Sequence, residues 1–93
     1  MIAYKITITG RVQGVSFRIS TKAVADQLGV KGFVKNQKDG SVYIEAEADE
    51  IYMQEFLNWC KLGPDEALVE TLDLLPNDIK KYQNFNILKK EIH

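Results

Sequence analysis

The residues with the clearest chemical potential in this 93-residue chain lie between Gly10 and Arg18, where the sequence reads GRVQGVSFR. We expect this glycine-bearing segment to connect a strand to a helix. Backbone N–H groups at a helix start have no intrahelical partner and lie at the positive end of the helix dipole, so such a turn can surround an anion. Arg18 would add a planar, permanently charged group that matches two phosphate oxygens. The segment predicts a phosphate-binding loop, although the same residues also suit an ordinary turn beside a surface arginine.

Asn36 is the second candidate, and it ends a segment in which alternate residues are apolar or glycine. The alternation places its side chain on the core-facing side of a strand, where an amide without partners is costly. One interpretation is that Asn36 caps the turn formed by Lys38, Asp39 and Gly40, and the residues alone favour it. The other is that its amide, which both donates and accepts hydrogen bonds, holds a water beside the anion.

Seven segments with the periodicity of regular structure must position these residues. They are strands over 3–9, 30–36, 42–48, 67–75 and 85–88, and helices over 17–28 and 50–62. In the fourth strand Val69 is out of phase with Leu68, Leu72 and Leu74, which predicts either a bulge or a two-sided position. The order β-α-β-β-α-β plus a short fifth strand predicts an α+β fold, the ferredoxin-like α/β sandwich, with two helices on one face of a mainly antiparallel sheet. We expect residues 1–93 to form a single domain.

Composition excludes several classes of function. No apolar run approaches the roughly 20 residues that span a bilayer, and the first residues alternate, so neither a membrane nor a signal peptide is expected. We therefore expect a cytoplasmic monomer. A single Cys60 and a single His93 cannot build a Cys/His metal centre, and no metal site is expected.

Charge is distributed unevenly along the chain. The net charge is −1, but residues 1–40 hold seven basic side chains against two acidic, whereas residues 41–93 hold five against eleven. Two interpretations of this asymmetry stay open. Either the charges are ordinary solvated surface charge, or the first forty residues form a site for a small anion.

The motif G-x-V-Q-G-V-x-F-R over residues 10–18 resembles the signature of the acylphosphatases, as do G-x-V-x-N over 32–36 and D-G-x-V over 39–42. W-x-x-x-G-P-x-x-A-x-V over 59–69 and F-x-I over 85–87 extend the resemblance over nearly the whole chain. Members of this family have the sandwich fold expected above and hydrolyse the anhydride between a carboxylate and phosphate. Ser16 stands where many relatives have glycine, and we expect that difference to be neutral; residues 76–84 match the family poorly.

The resemblance implies a role for each candidate residue. Arg18 and the loop amides would bind the phosphoryl group of a small acyl phosphate, and Asn36 would orient the attacking water. The implied loop residues are Gln13, Gly14, Val15, Ser16, Phe17 and Arg18. The loop motif contains no His, Cys, Asp or Glu to act as base, so the substrate's own phosphoryl oxygen would accept the proton. No cofactor is implied, and inorganic phosphate and sulfate are expected to compete with the substrate.

Two other functions stay open. A non-enzymatic anion-binding regulatory module of the same fold would need the loop but not a water held by Asn36. Single-stranded RNA binding would need aromatic residues on the outward sheet face. The outward positions there are Lys5, Thr7, Thr9, Tyr43, Glu45 and Glu47. With one aromatic among acids that we expect to face solvent, nucleic acid is not an expected partner.

Overall fold

The computed structural model describes residues 1–89, and within them five strands and two helices follow the predicted order. The strands are β1 (Ile2–Arg11), β2 (Lys31–Asn36), β3 (Val42–Ala48), β4 (Leu68–Pro76) and β5 (Phe85–Leu88), and the helices are α1 (Phe17–Leu28) and α2 (Glu50–Leu62). Gly29 ends α1 in the left-handed conformation, with φ 74°, that glycine adopts without steric cost. His93 lies outside the described residues. No helix between residues 1 and 89 is both long enough and apolar enough to cross a membrane.

The five strands form one sheet in the order β4-β1-β3-β2-β5. Every neighbouring pair is antiparallel except β2 and β5, which run parallel. Ile6 and Ile8 on β1 and Ile44 on β3 are fully buried because their side chains project towards the helix-covered face, where Phe56 of α2 joins the same core. The prediction of two helices on one face of a mainly antiparallel sheet is confirmed.

The predicted bulge lies in β4. Thr9 of β1 is paired with Thr71, but the next residue, Gly10, is paired with Val69, so Glu70 is extra in the ladder. The extra residue reverses the side-chain phase, and Val69 and Leu72 both pack against the core as a result.

One expectation about the outward face is wrong. Glu45 and Glu47 do not face solvent, because the segment 77–82, called the strap below, crosses over them and leaves 7% and 2% of these residues exposed. Glu47 accepts hydrogen bonds from the backbone N–H groups of Lys80 and Tyr82. Glu45 accepts from Tyr82 Oη at 2.7 Å and from Lys80 Nζ at 3.1 Å, so the strap is bound to the sheet through both carboxylates.

The outward face also carries more aromatic residues than expected. Phe33 lies beside Tyr43 and beside Tyr82 of the strap, with ring centroids 6.0 Å apart in each pair. The sequence prediction counted Tyr43 alone: it left out Phe33, although the alternation of β2 puts Phe33 on the outward face, and no local pattern brings Tyr82 of the strap over the sheet. These rings pack on each other across the sheet.

Candidate active site

The predicted phosphate-binding loop connects the end of β1 to the start of α1. Val12 and Phe17, at its two ends, are buried, and Phe17 packs on Trp59 of α2 with 5.6 Å between ring centroids. Between these anchors Gly14 has φ 75° and Ser16 has φ 62°, so two left-handed residues turn the exposed part of the loop. For a residue other than glycine this conformation is less stable by roughly 1–2 kcal/mol. The replacement of glycine by Ser16 is therefore not neutral for the backbone, contrary to the expectation from the sequence.

A pocket of about 280 Å³ opens at this loop. Its lining comes from the loop, from the first turn of α1 and from the end of β2: Val12, Gly14, Ser16, Phe17, Arg18, Ile19 and Asn36. Each molecule of liquid water takes up a volume of about 30 Å³. The pocket therefore has room for a phosphoryl group and at least one water. The structure brings Arg18 and Asn36, eighteen positions apart in sequence, to the same pocket.

Two residues of the predicted loop do not contribute to this lining. Val15 packs against the hydrophobic core, and Gln13 directs its side-chain amide towards the turn between β2 and β3. Ile19 does line the pocket although the sequence prediction missed it, and it is 68% exposed. The sequence feature that could have indicated Ile19 is that it is large and apolar but lies outside the helix stripe formed by Phe17, Thr21 and Val24.

Arg18 lies half-buried one turn before Lys22 on α1, and both side chains reach β5. Lys22 Nζ donates to the carbonyl of Phe85 at 2.9 Å and to Asp26 at 3.0 Å, whereas Arg18 Nη1 makes a long 3.5 Å contact with the carbonyl of Leu88. Within residues 1–89 Arg18 forms no ion pair, and the first turn of α1 contains no acidic residue. Among the described residues, no carboxylate therefore neutralises the positive charge of Arg18 at the pocket.

Asn36 lines the pocket and carries a buried acceptor. Its Oδ1 is shielded from solvent and has no hydrogen-bond partner in the described part of the chain. The turn that it was expected to cap is closed by other groups: Gln37 N donates to Ser41 O at 2.9 Å, and Ser41 N donates to Asp39 Oδ1 at 2.9 Å. A buried acceptor without a donor is costly, and a water molecule can satisfy it.

The remaining reactive side chains lie elsewhere. Cys60 is fully buried on α2, and burial raises the pKa of its thiol far above the usual range, which makes it an inert core residue. No group of three or more His, Cys, Asp or Glu side chains with the geometry of a metal site occurs between residues 1 and 89.

Comparison with known proteins gives one consistent result. The family model described as Acylphosphatase matches residues 4–87. An acylphosphatase of Archaeoglobus fulgidus is 44% identical over 87 residues, which cover 94% of this chain and 98% of the relative. One of Thermotoga maritima is 46% identical over 87 residues, covering 94% and 97%.

Solved structures agree with these relatives. The crystal structure of acylphosphatase from Bacillus subtilis superposes with a TM-score of 0.92 at 35% identity, covering 95% of this chain and 99% of that one. Full-length HypF in its phosphate- and nucleotide-bound form superposes with a TM-score of 0.84 at 29% identity, and the match covers 95% of this chain but 12% of HypF.

Proposed function

The chain belongs to the acylphosphatase family of hydrolases, which act on small acyl phosphates, and from that premise we propose that the pocket between the loop and Asn36 is its active site. One observation carries the proposal: Arg18, which forms no ion pair within residues 1–89, and Asn36, whose buried Oδ1 has no hydrogen-bond partner there, line the same pocket. The arginine suits an anion and the oxygen suits a water. Hydrolysis of an acyl phosphate needs both.

The phosphoryl group binds at the start of α1. The first backbone N–H groups of the helix and those of the loop over residues 13–18 donate to its oxygens, and the guanidinium of Arg18 adds two charge-assisted hydrogen bonds. With no acidic residue in the first helical turn, the positive end of the helix dipole acts on the ligand undiminished. These groups stabilise the charge that the transferring phosphoryl oxygens carry in the transition state.

The attacking water is held by Asn36. One water proton donates to Oδ1, which directs the oxygen lone pair at phosphorus on the side opposite the carboxylate. The bond from water oxygen to phosphorus forms as the bond from phosphorus to the carboxyl oxygen breaks, and the carboxylate leaves with that electron pair. The second water proton passes to a phosphoryl oxygen, so the products are a carboxylate and inorganic phosphate.

This step uses neither a protein nucleophile nor a metal. Arg18 is the one ionisable side chain among the residues that line the pocket, and it cannot act as a base at neutral pH. Asn36 and Ser16 supply the side-chain oxygens of the lining, and neither is a carboxylate, whereas Mg²⁺ sites usually include carboxylates. Catalysis then rests on positioning and charge stabilisation, which suffice because a carboxylate is already a good leaving group.

The remaining parts of the proposal concern partners and location. Residues 1–93 act as one domain and as a monomer. Inorganic phosphate and sulfate compete for the loop. The strap packs on the aromatic residues of the outward face, which argues against RNA stacking there. A cytoplasmic location completes the proposal.

Replacement of Asn36 tests whether the site is an enzyme or only a binding module. Asn36→Ala should lower the turnover of benzoyl phosphate by about a hundredfold or more, as loss of a preorganised catalytic group does. It should leave the inhibition constant of inorganic phosphate within about threefold, because the loop and Arg18 are intact. Asn86→Ala, at an exposed position of β5, is the matched control. A wild-type chain that binds phosphate but releases none from benzoyl phosphate would favour the non-enzymatic module.

A further inference from the structure

Gln13 belongs to the loop by sequence, but its side chain contacts a different element. Its Nε2 donates to the carbonyl of Gln37 at 2.8 Å and to the carbonyl of Ser41 at 2.9 Å. A carboxamide NH₂ has two protons, so both donors of Gln13 are used. Both acceptors lie in the turn between β2 and β3.

The two carbonyls are the ones that close this turn. Ser41 O also accepts from Gln37 N at 2.9 Å, and Gln37 O also accepts from Gly40 N at 3.1 Å. A carbonyl oxygen has two lone pairs, and Gln13 occupies the second pair on each. Asn36 immediately precedes this turn, so Gln13 binds the segment that carries the proposed water ligand.

The backbone does not provide this link. Pairing between β1 and β3 ends at Ile8 and Val42, whereas β1 continues along β4 as far as Arg11. Residues 12–16 therefore lie beyond the last β1–β3 pair and have no ladder pairing with the hairpin. Among hydrogen bonds of the described residues, the two from Gln13 connect this loop to the turn.

We infer that Gln13 is a positioning residue, which sets the distance between the phosphoryl group and the water held by Asn36. This inference rests on the proposed function. Phosphate binding depends on the loop and Arg18, whereas turnover depends on the loop and Asn36 together. Misplacement of reacting groups by about 1 Å can cost about a hundredfold in rate. Loss of the Gln13 hydrogen bonds should therefore lower kcat and spare phosphate affinity.

Gln13→Met removes both donors and keeps the length of the side chain. We expect kcat for benzoyl phosphate to fall about tenfold or more, while the inhibition constant of inorganic phosphate stays within about threefold. Gln27→Met, at an exposed position of α1, is the matched control and should behave as wild type. If Gln13→Met fails to fold, Gln13→Asn, which retracts the amide by one methylene group, should give the same split.

A double mutant distinguishes a positioning role of Gln13 from a general loss of rigidity at the site. If Gln13 acts through Asn36, Gln13→Met should cause no further loss of kcat in the Asn36→Ala background. Unchanged kcat in Gln13→Met, parallel loss of kcat and phosphate affinity, or full additivity with Asn36→Ala would each overturn the inference. Wild-type turnover in Asn36→Ala would overturn the proposed function as well, so the two failures are distinguishable.

Discussion

Arg18 is the residue on which the charge of the pocket depends. Arg18→Ala should lower kcat/KM for benzoyl phosphate by about a hundred- to a thousandfold, or about 3–4 kcal/mol, because it removes a preorganised donor to the transferring oxygens. Arg18→Lys should recover little of this loss, since an ammonium group lacks the planar bidentate geometry. Steady-state kinetics of both variants measure the effect.

Arg11 offers a matched control for that experiment. It lies exposed at the end of β1, outside the residues that line the pocket, so Arg11→Ala removes the same charge and should keep the kinetics of the wild type. Comparable losses in the two variants would mean that a diffuse positive field, rather than the contact made by Arg18, accounts for substrate binding.

At the scale of single residues, the sequence predicted the side chains that line the pocket better than those that support it. Arg18 and Asn36 stand out because an arginine at a helix start and an amide on a core-facing strand position are unusual. Gln13 was predicted to contribute only its backbone, because a side-chain bond to a turn about 25 residues later leaves no local pattern. Ile19 was missed because an exposed apolar residue on a helix does not by itself indicate a pocket.

The strap is the element that sequence reasoning did not find. The alternation of β3 correctly placed Glu45 and Glu47 on the outward face, but residues 76–84 have no periodicity that would show where they pack. Their position depends on contacts with residues more than thirty positions away, such as Asn77 with Glu45 at 3.2 Å. Non-local hydrogen bonds of this kind cannot be read from a local window.

Glu45 should make stability depend on pH at the acidic end. Burial, the largest effect, would raise the pKa of Glu45, but hydrogen bonds from Tyr82, Tyr43 and Lys80 and the charge of Lys80 lower it to about 2 from 4.5. A carboxylate with a depressed folded pKa stabilises the fold above its unfolded pKa and loses that contribution as pH falls. The difference in unfolding free energy between wild type and Glu45→Gln should be constant above about pH 5 and shrink towards pH 2.

Urea unfolding at a series of pH values measures that difference. Glu66→Gln, at an exposed position after α2, should differ little from wild type over the same range. A gap between wild type and Glu45→Gln that stays constant down to pH 2 would mean that the charge of Glu45 does not hold the strap.

At the scale of the whole molecule, the order of elements followed from local periodicity, and it limited the fold to a few arrangements. The order of the strands in the sheet was harder to predict from the sequence than the order of the elements along the chain. The pairing of β5 with β2, in the parallel direction and at the edge of the sheet, joins segments about fifty residues apart. Through this pairing the end of β5 reaches Arg18, so the site depends on a contact that no local pattern indicates.

The complete fold, rather than any one element, forms the anion site, and ligand binding should therefore stabilise the chain against unfolding. Inorganic phosphate binds the native loop and Arg18 but finds no comparable site in the unfolded chain. At ten times its dissociation constant, a ligand specific to the native state adds about 1.4 kcal/mol, which raises the melting temperature of a domain of this size by several degrees. Sulfate should act in the same way.

Thermal melts of wild type and Arg18→Ala, with phosphate, sulfate or chloride at matched ionic strength, decide whether this stabilisation comes from the pocket. Chloride controls for screening of the whole charge distribution, which acts on both chains alike. The phosphate shift should be large in wild type and mostly lost in Arg18→Ala, because the loop amides remain but the charge that pairs with the anion is gone. Equal shifts in the two chains would place the anion at a different part of the surface.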